Sequence, residues 1–119
     1  MVLVSTCAFP ELATFNPLVN HLERIARNMH ARLVGKVLRP NGPVLPFRKI
    51  LGATYGQIVA ALEKAGKEFV ETGQVSEETQ AEIAVDFMTT EVYVLATNSY
   101  WNKAIKQGDL LTGASEEGR

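Results

Sequence analysis

Val2-Leu3-Val4-Ser5-Thr6 follows directly on Met1, and its apolar residues run together instead of alternating with polar ones. A strand with one wet face alternates; a strand covered on both faces does not, so this run predicts a buried strand of the kind found in parallel sheets. Cys7 to Phe15 reads as a loop. Asn16-Pro17 then predicts a helix start, with Asn16 as the N-cap and Pro17 in the first turn, where a missing amide costs nothing. Leu18, Val19, Leu22, Ile25, Ala26 and Met29 recur at helical spacing as one apolar stripe, and Glu23 and Arg27 are spaced to pair on the outer side. Arg32 to Leu38 is the second run rich in branched residues. The order strand, helix, strand predicts a βαβ unit with parallel strands and a right-handed crossover.

Further along, Arg39 to Ala53 holds Pro40, Asn41, Gly42, Pro43 and Pro46 and reads as a long irregular connection. Tyr55, Ile58, Val59, Leu62 and Phe69 mark a second amphipathic helix, with Glu63 four residues before Lys67 on its wet side and Gly73 as a left-handed cap. Ser76 is an N-cap with Glu77 and Glu78 in the first turn, which predicts a short helix to about Phe87. Thr89 or Thr90 caps a last helix carrying Val92, Tyr93, Leu95, Ala96, Tyr100 and Trp101. The expected organisation is one domain over residues 1–105 and a polar, frayed tail over 106–119.

Composition narrows the function classes. The 119 residues are 46% hydrophobic and 21% charged with a formal net charge of -1, so no basic surface for nucleic acid or anionic lipid is expected. No window reaches the length of a membrane span, and the opening run lacks the basic flank of a signal peptide. The single cysteine, Cys7, excludes an internal disulfide and suits a reducing cytoplasm. His21 and His30 are not spaced to share a ligand edge and have no acidic or cysteine partner nearby, so no metal site is expected.

Two parallel strands flanked by helices do not hide their own edges, so the sheet is expected to be part of a larger one. Val4-Ser5-Thr6-Cys7-Ala8-Phe9-Pro10-Glu11 resembles the fourth-strand segment of flavodoxin-like NAD(P)H-dependent FMN reductases, a group that includes the iron-sulfur flavoproteins. In the same order come a strand ending Leu38-Arg39-Pro40, a helix with Ala65-Gly66-Lys67-Glu68, then Gly73 and Val75-Ser76-Glu77-Glu78-Thr79. Glu91, Tyr93, Asn98, Tyr100 and Trp101 are similar to the family's closing pattern. The resemblance implies a partial flavodoxin-like, doubly wound α/β fold, strand-helix-strand-helix with extra carboxyl-terminal helices. It departs from the family at Ala8, where glycine is common, and in the amino-terminal strand and Ser/Thr-rich phosphate loop, which are absent.

That resemblance implies FMN as cofactor, a nicotinamide as hydride donor, and Thr6, Cys7, Ala8 and Phe9 as the loop beside the flavin ring, because loops at the carboxyl ends of parallel strands line the crevice. It assigns no catalytic side chain. The bland alternatives are that Thr6 simply ends a strand, Phe9 packs under a helix and Cys7 is an inert small hydrophobe. The aromatic group on the last helix reads either as a subunit contact or as packing on the domain's own core. Lys64, Lys67 and Glu68 read as a solvated charge run. The expected function is part of a flavin-dependent oxidoreductase, incomplete alone, joined by a complementary amino-terminal half or by itself as a homo-oligomer. The alternatives are a non-catalytic packing half derived from that family and an unrelated small α/β interaction domain.

Overall fold

The computed structural model describes residues 1–107, excluding the side chain of Ile50. The chain forms two compact units, Met1–Phe87 and a second beginning at Met88.

In the first unit, strand β1 (Val2–Thr6) lies parallel to strand β2 (Gly35–Arg39), with Val4 opposite Val37. The second strand starts three residues later than its branched run suggests, because the chain leaves the first helix through a left-handed His30 and a stretch outside the strand ladder. The connecting helix α1 spans Asn16–Asn28. Asn16 is not its cap. A 3-10 turn at Leu12–Phe15 leads straight into the helix, and Phe15 takes the cap position with its ring buried. Glu23 and Arg27 do not form an ion pair; Arg27 Nε donates instead to the Glu23 carbonyl at 3.3 Å.

Parallel pairing sends Leu3 and Leu38 to one face of the sheet and Val2, Val4 and Val37 to the other. Leu3 and Leu38 pack with Phe15, Val19, Leu22 and Leu33, so α1 covers that face. Its stripe is only partly used, since Leu18 and Met29 remain exposed.

After β2 the chain is more helical than its prolines suggest. Gly42–Val44 is a 3-10 turn, and α2 spans Arg48–Leu51. Pro43 stands in the first turn of the 3-10 segment, where it starts a helical turn instead of preventing one. Helix α3 (Ala53–Thr72) ends at Gly73 with φ +77°, the left-handed cap expected there. Helix α4 (Glu77–Ile83) is capped by Ser76, whose hydroxyl accepts from the Thr79 amide at 3.2 Å. Val37, Ala61, Ala65, Val75 and Ile83 form the second core cluster, with Val2 packed against it. The buried line of α3 is therefore Ile58, Ala61 and Ala65, while Val59, Leu62 and Phe69 of the expected stripe are exposed.

Helix α4 stops four residues short of Phe87 because Arg39 captures its end. From the last residue of β2, Arg39 donates through Nη1 to the carbonyls of Ile83 (2.6 Å) and Val85 (2.7 Å) and through Nε to that of Pro40 (2.6 Å). Its guanidinium also lies over the Phe87 ring at 4.8 Å. A cation at a helix carboxyl terminus is favourably placed against the helix dipole, and the planar fork serves several carbonyls at once.

The second unit contains helix α5 (Thr90–Gln107). Thr89 is its capping residue, accepting from the Val92 amide at 3.3 Å. Within it Tyr100 and Trp101 meet edge to face at 5.5 Å. The helix runs two residues into the expected frayed tail, and the rest of that tail, 108–119, lies outside the described residues. No helix among the described residues is long and apolar enough to cross a membrane.

Candidate functional site

Thr6, Cys7, Ala8 and Phe9 do stand together at the carboxyl end of β1, but the end of β2 and the turn after it use much of their backbone. Cys7 N–H donates to the Arg39 carbonyl (3.2 Å), the Cys7 carbonyl accepts from Gly42 (2.9 Å), and the Phe9 carbonyl accepts from Asn41 (3.1 Å). The Cys7 thiol also turns inward, donating to the Phe9 carbonyl at 3.3 Å while its side chain borders the α1-side core. That is the packing role. Phe9, by contrast, does not lie under a helix and is 56% exposed. Thr6 ends the strand and packs against Gly42 so closely that a Cβ on Gly42 would fall 2.8 Å from Thr6 Cβ. Thr6, Ala8 and Phe9 are the exposed residues of the loop, and Phe9 supplies its one aromatic ring.

Beside this loop lies a less satisfied corner that the sequence does not announce. Asn41 adopts φ +54°, a conformation asparagine tolerates, and is completely buried. Neither its side-chain oxygen nor its nitrogen, nor Arg39 Nη2, has a partner among the described residues. Burial lowers the pKa of the Arg39 guanidinium, with Asp86 and then Cys7 pulling it the other way.

The two edges of the sheet differ sharply. On β2 the outward Lys36 amide donates to Gln80 Oε1 (2.9 Å), Gln80 Nε2 donates to the Val75 carbonyl (2.9 Å), and the Val75 amide reaches the Val34 carbonyl (2.9 Å). Those bonds occupy the start of that edge, while the outward backbone groups of Leu38 meet no described partner and Leu38 borders a groove with Lys36 and Gln80. On β1 the ladder uses the odd residues, as the Cys7–Arg39 bond shows, so the N–H and C=O groups of Val2, Val4 and Thr6 face away from β2. No described strand pairs with them. Beside this bare edge, Val2, Val4 and Val37 of the sheet and Leu62, Gly66 and Phe69 of α3 line an open, mostly apolar groove of about 470 Å³. Val4 is 71% exposed in it.

The charge run of α3 does not simply face water. Glu68 accepts from the Ser76 amide (2.9 Å), the Ser76 hydroxyl (3.0 Å) and the buried Thr79 hydroxyl (2.7 Å), fastening α3 to the start of α4. These bonds, the Ser76 amide first and Thr79 next, hold its carboxyl below the usual carboxylate range. Lys64 pairs with Glu82 at 3.0 Å, which raises the lysine's pKa. Only a contact between residues from two helices reveals this; their charge alone reads as solvated, although Glu68 follows Ala61 and Ala65 on the buried line of α3. Among the described residues no three His, Cys, Asp or Glu side chains gather as a metal site.

No family model, no curated protein and no solved structure matches the chain.

Proposed function

We propose that this chain is one half of a flavodoxin-like flavin reductase fold, competent only when further strand is added along β1. The observation that carries the reading is the contrast between the sheet's edges: the start of the β2 edge is bonded by Gln80 and Val75, whereas β1 presents unpaired backbone along its whole length beside an apolar groove. A parallel sheet with a bare, uncharged, apolar edge is a sheet that expects a neighbour. In the doubly wound order, the crevice for the flavin lies outside the carboxyl ends of the strands, the end at which Thr6 to Phe9 stand.

FMN fits this chain as a ligand held on one side. Phe9 and Ala8 supply a wall for the ring. A bound flavin supplies the hydride acceptor for a nicotinamide donor, and the chain's own residues position and shield it. The phosphate and the opposite face of the ring then fall to the complementary half.

Titration of FMN, followed by quenching of its fluorescence, tests this with the 119-residue chain alone and with an amino-terminal flavodoxin-like half added in trans. Quenching is expected only with both. Quenching by the chain alone refutes its incompleteness, and complex formation without quenching refutes the flavin role in favour of a non-catalytic packing half.

A further inference from the structure

We infer that the bare edge of β1 is self-complementary and that, without another strand, two copies of this chain join there in an antiparallel β1–β1 pair about a two-fold axis at Val4. The inference is independent of the flavin reading. The unpaired groups belong to Val2, Val4 and Thr6, which are symmetric about Val4. Turning a second copy by two-fold rotation therefore places Val4 opposite Val4 and Val2 opposite Thr6, each pair facing donor to acceptor.

Charge does not oppose the pairing. Val2 to Thr6 contains no charged residue and no proline, the devices that protect natural edges. Area favours it as well. A stable dimer covers about 800 Å² on each partner, more than a five-residue strand supplies, and the groove beside the strand is the remaining surface. Val4, Leu62 and Phe69 expose 71%, 42% and 43% of their surfaces there. Rotation about an axis normal to the sheet keeps both α3 helices on the same face, so each copy's Leu62 and Phe69 flank the joined strands. The product is a four-stranded sheet, β2-β1-β1-β2, with the strands bonded by Gln80 outermost.

Sedimentation or light scattering of the 119-residue chain over a micromolar range is expected to give twice the chain mass. Val4→Pro separates the dimer from the fold. Its amide faces away from β2, and an edge strand tolerates proline at such a position. Losing the two central hydrogen bonds is expected to weaken the dimer roughly 10- to 30-fold with the circular dichroism unchanged. If Val4→Pro fails to fold, Val4→Lys decides, since it keeps the backbone and sets two cations against each other. A monomeric native chain throughout the range, or a dimer that survives Val4→Lys, overturns the proposal. Adding the complementary half should dissolve the dimer, since both claim one edge; coexistence of the two complexes on one chain also overturns it.

Discussion

Arg39→Met tests the most heavily connected side chain of the first unit. Methionine keeps the bulk of the side chain and removes the charge with three donated hydrogen bonds, at 2.6, 2.6 and 2.7 Å. The Ile83 carbonyl suffers most, because Ile83 is wholly buried, and a buried acceptor left without its donor costs about 1–3 kcal/mol. The Val85 carbonyl belongs to an exposed residue and regains water, so its loss is about 1 kcal/mol. Against these stands relief from burying a guanidinium, the main cause of its lowered pKa. The balance is a loss of roughly 2–3 kcal/mol. With a urea slope of about 1–3 kcal/mol per molar, the unfolding midpoint should fall by about 1–2 M. Circular dichroism during urea unfolding measures it, and amide exchange should show the end of α4 loosening first. Arg39→Lys should fall between, since one ammonium does not reach all three carbonyls. A midpoint for Arg39→Met equal to the native one would mean that desolvation cancels the bonds, and that α4 ends where it does for another reason.

Glu68 carries a pH signature. Its folded pKa lies below the unfolded one, so its contribution is present above the unfolded value and is lost as pH falls through the lowered folded value. Glu68→Gln should therefore be less stable than the native chain at neutral pH, and the difference should close in acid; a gap independent of pH in paired melting curves would contradict the three-donor arrangement. Gly42→Ala should destabilise by about 1–3 kcal/mol in chemical unfolding, because the new methyl meets Thr6 Cβ at 2.8 Å, whereas Gly66→Ala, with open space at its Cβ, should stabilise the helix or leave it unchanged.

The sequence by itself determined those features that depend on neighbours along the chain. The continuous apolarity of Val2 to Thr6 and the turn residues around it were enough for parallel strands joined by a helix. Ser76 and Gly73 were legible as caps because a helix end is satisfied within a few residues. Thr6 to Phe9 were legible as a group, since a loop at a strand's end stays together whatever surrounds it.

Tertiary structure alone decided the rest. Arg39 reads as a strand's terminal charge until the carbonyls of Ile83 and Val85, 44 and 46 residues away, come within its reach. Glu68 reads as wet until Thr79 turns its hydroxyl into it. The exposed half of the α3 stripe, Val59, Leu62 and Phe69, is indistinguishable in periodicity from the buried half. Periodicity records which residues avoid water on an isolated helix, whereas burial depends on what stands opposite, and beside β1 the first unit places nothing opposite Val4.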